Sequence, residues 1–269
     1  MNKKLFTYLA ILLVMFIISA YGSLFYPHSA VRPNGPSLEP PSRDHILGTD
    51  DLGTDIFAQI SKGFFTSLFV GVATAFLAMF LGGSLGLMGG YLGGKTDLFI
   101  SFLINLFLSL PQLPVIIVAG AFLGQSIINV IFIIALFSWA GIAKVVRAKT
   151  RQIRENTYLQ LARSYGAGFF YLFKKHLFAD IFPLLLINSL AVVGKAILQE
   201  ASLAFLGLSD PLARSWGLII NKAMNFSAIY YTNYWLWWLL PPVFSLVVTL
   251  YCLRLLTREI ENIVYRSEL

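Results

Sequence analysis

Residues 89–96 read Gly-Gly-Tyr-Leu-Gly-Gly-Lys-Thr, which satisfies the phosphate-binding loop pattern G-x-x-x-x-G-K-[ST]. In a nucleotide-binding protein that loop follows a buried strand, opens a helix and works with a second carboxylate that holds magnesium. Here one apolar run of bilayer length precedes the loop and another follows it, and no later strand ends in an aspartate. We therefore interpret the segment as a glycine-rich turn between two helices, and we expect this chain neither to bind nucleotide nor to hydrolyse ATP.

Lys195, Gln199 and Glu200 interrupt another long apolar run. Charged side chains at membrane depth are costly and tend to face a cavity or a partner. Lys195 and Gln199 are four residues apart and share a helix face, whereas Lys195 and Glu200 differ by roughly 140° around a helix. We expect no ion pair between the lysine and the glutamate. Two roles stay open: lining a transport pathway, or pairing with a neighbouring subunit, with Glu200 bonded to backbone or a hydroxyl.

Other reactive side chains are sparse. The single cysteine, Cys252, excludes an internal disulfide and any multi-thiolate metal site. Acidic residues recur between positions 44 and 55, where they could bind a cation, but Gly-Thr-Asp repeats also make turns. No set of His, Asp and Glu residues converges on the apolar runs. We predict no enzyme activity, no metal site and no bound cofactor.

The composition is that of a membrane protein. Of 269 residues, 57% are hydrophobic and only 12% are charged, with a mean hydropathy of +0.74. Soluble domains carry about 25% charged residues. The net charge of +7 could suggest nucleic acid, but in a lipid-solvated chain basic residues report orientation. We expect the lipid bilayer, and no nucleic acid, as a partner.

Residues 1–269 are predicted to form a single all-α polytopic membrane domain with about six transmembrane helices, since a crossing needs roughly 20 apolar residues. The predicted spans are Leu5–Tyr26, Phe64–Leu92, Leu98–Leu123, Ile127–Val146, Ile181–Leu208 and Trp235–Leu256. Pro111 and Pro114 are expected to kink the third. Lysine and arginine concentrate in segments that are cytoplasmic if both termini lie inside. Pro27–Ser61 is then external, and Arg147–Asp180 is cytoplasmic.

The cytoplasmic segment is predicted to contain two short amphipathic helices that meet at Gly166, a residue able to adopt a left-handed conformation. Thr157 and Gln160 have the spacing of a capping box. The first helix carries an apolar stripe at Tyr158, Leu161, Ala162 and Tyr165. From these residues alone two readings stay open: helices lying on the lipid surface, or a protrusion that fits a groove in a cytoplasmic partner.

Residues 158–167, continuing through Lys175-His176-Leu177, resemble the "EAA" loop of binding-protein-dependent ABC importer permeases. The resemblance is strongest to the second permease subunit of the dipeptide/oligopeptide/nickel group. Further motifs follow in family order over about residues 45–255. They are His45–Phe57, Gly89–Gly94, Glu200–Leu208 and Ser215–Gly217.

The resemblance implies a type I ABC importer permease fold in which residues 147–180 form a coupling loop that docks on an ATPase subunit. The implied docking residues are Gln160, Leu161, Ala162, Gly166 and His176. Two positions depart from the family pattern: Gln160 stands where the family has glutamate, and Ala179 where it has proline. Docking by shape is expected to persist, whereas an ion pair at position 160 is not.

The same resemblance implies a set of partners and a cargo. The chain would act with a homologous second permease, two cytoplasmic ATPases that hold ATP and magnesium, and an external substrate-binding protein. The location would be the plasma (inner) membrane of a bacterium or archaeon. The implied cargo is peptides, or alternatively nickel, a metal chelate or an opine. A homomeric channel or a secondary transporter is the hypothesis from a different class.

Overall fold

The computed structural model describes residues 3–266, apart from the side chains of residues 3, 163, 169, 170, 176, 265 and 266. Helices dominate this part of the chain, and its one extended contact is an isolated bridge between Thr49 and Asp55. The helices are α1 (Lys3–Leu24), α2 (Ile56–Leu92), α3 (Gly94–Ser109), α4 (Gln112–Leu123), α5 (Ile127–Arg154), α6 (Thr157–Ser164), α7 (Phe169–Leu172), α8 (Phe178–Phe205), α9 (Trp216–Asn225), α10 (Trp235–Trp238) and α11 (Leu240–Arg266).

Five helical stretches of the described chain are long and apolar enough to cross a membrane: α1, α2, α5, α8, and α10 with α11. A sixth is obtained if α3 and α4 count as one span bent by 88°. The break falls at Leu110, whose backbone is extended, because Pro111 disfavours a helical residue before it and donates no hydrogen bond. The expected kink is therefore a right-angle bend. Pro114 lies in the first turn of α4, where a missing N–H is tolerated.

Two spans are longer than the apolar runs that predict them. Helix α2 begins at Ile56 because the Asp55 carboxylate caps it, accepting a hydrogen bond from the Ala58 N–H at 2.8 Å. Helix α5 continues for two turns beyond the predicted end at Val146 and stops at Arg154. The first two turns of the predicted cytoplasmic segment are thus a rigid extension of a membrane helix.

The closest helix packing joins α2 to α5. Three glycines four residues apart on α2 face backbone carbonyls of α5, and a Cβ on any of them would approach the facing oxygen to within 3 Å. The pairs are Gly82 with Trp139 (2.6 Å), Gly86 with Ala143 (2.8 Å) and Gly90 with Arg147 (2.7 Å). These glycines let the two backbones touch, as small residues do between membrane helices. Helix α8 packs against both α2 and α5, while α1 and α11 lie against α2 and α8 at the periphery.

Part of the predicted external segment folds as an ordered cap over the start of α2. The Asp50 carboxylate accepts from the Thr54 N–H at 2.7 Å and from Gln59 Nε2 at 2.7 Å. The acidic residues at positions 50 and 55 thus serve a turn and a helix cap, the turn-forming role that the Gly-Thr-Asp pattern suggested. Burial, helped by the neighbouring Asp50 charge, raises the pKa of Asp51.

We expect Gly86→Ala to destabilise the protein by about 1–3 kcal/mol, because the new methyl group must push α5 away from α2. Gly141→Ala is the matched control: Gly141 lies on α5 with open space around it, and alanine there is expected to be neutral or stabilising by about 0.5–1 kcal/mol. Thermal unfolding of the purified protein in detergent measures both. Equal melting temperatures for the two variants would contradict the packing argument.

Candidate functional site

Helix α6 is connected to the end of α5 by two residues, Glu155 and Asn156. The Asn156 carbonyl accepts the first hydrogen bonds of α6, so Thr157 is already helical and is not the N-cap. The predicted capping box is therefore wrong: Gln160 Nε2 donates to the Glu155 carbonyl at 3.1 Å instead of returning to Thr157. The short link after α5 determines the residue at which α6 begins. The capping-box pattern is local and contains no information about this link.

Helix α6 has two apolar sides with different surroundings. Leu159 is fully buried in a cluster with Ile153 of α5 and Ile181 of α8, and Ala162 packs against the same cluster. A neighbouring side of α6, roughly 100° or more around the helix from Leu159, is exposed, and we call it the outer face of α6. Its residues are Tyr158, Leu161 and Tyr165. Tyr165 is 89% exposed, so an anchored helix presents an apolar surface away from the protein.

Gly166 ends α6 in the left-handed conformation, with φ of +84°. The following Ala167 N–H bonds back to the Ala162 carbonyl at 3.0 Å, which closes the helix end. The chain then enters α7 and a single π-helical turn, Phe173–Leu177, that runs directly into α8. The predicted second helix thus corresponds to α7 and the π-helical turn, and it is continuous with α8.

The five predicted docking residues lie in this segment, with different exposure. Gln160, Leu161 and Gly166 are exposed, and Ala162 is half-buried against the core. The side chain of His176 lies outside the described residues. The segment therefore presents a compact surface whose inner side is continuous with the packing of α5 and α8.

Of the three predicted site residues on α8, two are buried and one is exposed. Glu200 is 1% exposed, with the hydroxyls of Ser67, Ser209 and Ser215 beside its carboxyl group; Ser209 Oγ is 3.5 Å from Oε1. Gln199 is buried too, although its spacing suggested the same face as Lys195. Lys195 is exposed on the surface of α8. The structure brings Glu200 to serine hydroxyls and not to Lys195.

Lys195 belongs to a stripe along α8 that faces away from the chain's core. The stripe consists of Ala191, Lys195, Leu198, Ser202 and Phe205. At its far end lies an apolar cleft of about 400 Å³ between α4, α8, α9 and α11, lined by Ser202 and Phe205 among others. A lysine on such a face is unsuited to contact with lipid tails.

Two further sets of side chains come together in the structure, although nothing in the sequence around them predicts the contact. Asp97, at the start of α3, pairs with Arg147 of α5, fifty residues away. In the predicted external segment, His28, His45 and Asp55 bring one potential ligand atom each within 4.8 Å of one another. There the His45 ring bonds to Asp55 Oδ2 at 2.8 Å, and Tyr26 donates to the same oxygen at 3.1 Å. Only the fold brings either set together.

Comparison with known proteins gives the family. Residues 78–266 match the family model described as "Binding-protein-dependent transport system inner membrane component". The chain belongs to this family. The Dipeptide transport system permease protein DppC of Bacillus subtilis (strain 168) is 33% identical over 258 residues, covering 95% of this chain and 79% of that protein. The chain is thus a component of the permease family.

Further relatives agree. The Oligopeptide transport system permease protein OppC of Bacillus subtilis (strain 168) is 28% identical, covering 93% of this chain and 81% of that one. The Glutathione transport system permease protein GsiD of Shigella flexneri serotype 5b (strain 8401) is 35% identical, covering 83% and 73%. A solved structure of the MetNI methionine ABC transporter, in inward-facing conformations, matches with a TM-score of 0.57 at 15% identity, covering 75% of this chain and 96% of that chain. That match confirms the predicted importer-permease fold.

We expect Gly166→Ala to loosen the α6–α7 segment, because a left-handed alanine costs about 1–2 kcal/mol. Trypsin should then cleave after Lys174 or Lys175 about 5–30 times faster, the population change that such an energy gives. Gly168→Ala is the control, since Gly168 has open space around it and no positive φ. Equal cleavage rates in the two variants would show that the left-handed turn does not hold the segment.

Proposed function

We propose that this chain is the transmembrane permease subunit of an ATP-driven, receptor-dependent importer of peptides, and that it forms half of the translocation pathway. The relatives described above are named for dipeptides, oligopeptides and glutathione, which are all peptides, and this supports the peptide cargo. None of these three is named for nickel, a metal chelate or an opine, so those cargoes are not favoured.

The observation that carries the proposal is the two-sided packing of α6. Its inner side is fixed by Leu159 to the same apolar cluster that contains Ile153 and Ile181, so a force on α6 reaches α5 and α8 directly. Its outer face is apolar and exposed, which in water favours contact with another protein. An anchored helix with an open apolar face suits docking in a groove of an ATPase subunit.

The rest of the complex follows from that assignment. Two cytoplasmic ATPases bind ATP with magnesium, and this chain supplies no catalytic residue. A homologous second permease completes the pathway, and an external substrate-binding protein delivers the peptide. Both termini and α6 then lie on the cytoplasmic side, in the inner membrane of a bacterium or an archaeon.

The working cycle is a change of access driven from inside the cell. The loaded receptor docks on the external surface, and ATP binding closes the two ATPases. The closure moves α6, and with it the ends of α5 and α8 to which α6 is packed. The exposed stripe of α8 that contains Lys195 faces the pathway or the second permease, where a lysine can find water or an anionic partner.

A cysteine in place of Tyr165 tests the docking surface, in a chain whose buried Cys252 has been replaced by alanine. We expect a bifunctional crosslinker to join Tyr165→Cys to an ATPase subunit, since this side chain is the most exposed of the outer face. Leu212→Cys, equally exposed but in the predicted external loop, is the control and should not react with the ATPase. Failure to trap an ATPase, or labelling of position 165 from outside the cell, would contradict the importer and favour a channel or a secondary transporter.

Lys195→Met tests the exposed stripe of α8. Loss of a charged hydrogen bond costs about 1.5–3 kcal/mol, so we expect uptake, or binding of the second permease, to fall about tenfold or more. Uptake in vesicles and copurification of the second permease distinguish a pathway role from an interface role. Lys62→Met, at an exposed lysine near the start of α2, is the control. Normal uptake together with normal assembly would exclude both roles.

A further inference from the structure

We propose that Arg147 and Arg154 clamp the turn between α2 and α3 to the end of α5, so that α5, this turn and α3 move as one body when α6 is displaced. The inference rests on the proposed function, because it needs a force applied at α6. It also gives the phosphate-loop-like segment a role: its glycines make room for arginine side chains.

The first contact of the clamp is a two-point ion pair. Arg147 Nε and Nη2 donate to the two carboxylate oxygens of Asp97, at 2.5 and 2.9 Å. Both side chains are largely enclosed, with 23% of the arginine and 16% of the aspartate exposed. A planar guanidinium that meets a carboxylate through two parallel hydrogen bonds fixes orientation as well as distance. Asp97 lies in the first turn of α3, so the pair holds the beginning of that helix.

The second contact lies two helical turns further along α5. Arg154 Nη1 donates to the Tyr91 carbonyl at 3.3 Å. It also occupies the space that a side chain at Gly93 would need: a Cβ there would lie 2.5 Å from Nη1. Gly93 has φ of +70°, a conformation that other residues avoid. Because Arg147 and Arg154 are seven residues apart, they share one face of α5 and grip the turn at two places.

The clamp continues the glycine packing between α2 and α5. Gly90 faces the backbone carbonyl of Arg147. Arg147 therefore takes part both in the backbone contact with α2 and in the ion pair with Asp97. Beyond the clamp, α3 runs to the right-angle bend and α4, and α4 lines the apolar cleft beside the exposed stripe of α8. A continuous series of contacts therefore connects α6 to the cleft through α5, Asp97 and α3.

A second ion pair at the end of α5 serves as a comparison, because it is neither enclosed nor joined by two hydrogen bonds. Arg151 Nε meets Glu155 Oε1 at 3.3 Å, through a single contact, and the two side chains are 58% and 60% exposed. Exposed pairs of this kind contribute little. Arg151 has the charge of Arg147 and lies four residues away, but its ion pair is with Glu155, at the end of its own helix, and not with Asp97.

The test uses the complete importer in proteoliposomes, with its second permease, ATPases and receptor. Asp97→Asn and Arg147→Gln should each lower peptide uptake per ATP hydrolysed by at least about fivefold, the lower range of coupling between sites. The double variant Asp97→Arg with Arg147→Asp should recover most of the loss, because it restores an ion pair in reverse. Arg151→Gln should leave the ratio unchanged.

Normal uptake per ATP in both single variants overturns the clamp, as does a double variant no better coupled than the single ones. If the single variants fail to accumulate, Arg147→Lys decides, since lysine keeps the charge but loses the two-point geometry. Reduced peptide uptake per ATP hydrolysed in Arg147→Lys then supports the clamp, and a normal value overturns it. Crosslinking at Tyr165→Cys, measured in the same variants, distinguishes the two proposals: persistent trapping of the ATPase with normal coupling defeats only the clamp.

Discussion

The contact between the backbones of α2 and α5 sets the positions of the other elements. Helices in a bilayer gain little from burying apolar side chains, because lipid tails are equally apolar, so close packing has to supply the association. The three glycines on α2 allow backbone atoms to approach within van der Waals distance over two turns. Helix α8 then packs against this pair, and the cluster around Ile142, Val146 and Ile153 extends along α5 to Leu159 of α6. Helix α6 is thus continuous with the core formed by the long apolar helices.

Much of this arrangement is encoded in patterns that are short in sequence. Apolar runs of bilayer length predict the spans because the bilayer fixes the length of a crossing. Gly166 predicts a left-handed helix end, since that requirement is local. The family motifs lie before and at the start of α2, on the α2–α3 turn, on α6, at the end of α8 and at the start of α9.

What the sequence does not predict depends on partners that are distant along the chain. Asp97 and Arg147 are fifty residues apart, and neither has an unusual neighbourhood. The start of α2 depends on an aspartate that is itself held by His45. The capping-box pattern at Thr157 fails for a related reason, because the geometry of the exit from α5 starts the helix one residue earlier. The spacing of Lys195 and Gln199 gives their angular offset correctly, but not which of the two faces the core.

The right-angle bend at Leu110 affects how α3 and α4 can fit into a lipid bilayer. Helices α3 and α4 contain 16 and 12 residues, hence about 24 and 18 Å at 1.5 Å per residue, and neither alone covers a hydrocarbon layer about 30 Å thick. The elbow between them has Leu110 and Pro111 exposed, and acyl chains cannot hydrogen-bond to main-chain polar groups at such a break. Protein has to cover such an elbow at membrane depth, and the second permease subunit proposed above would supply that cover.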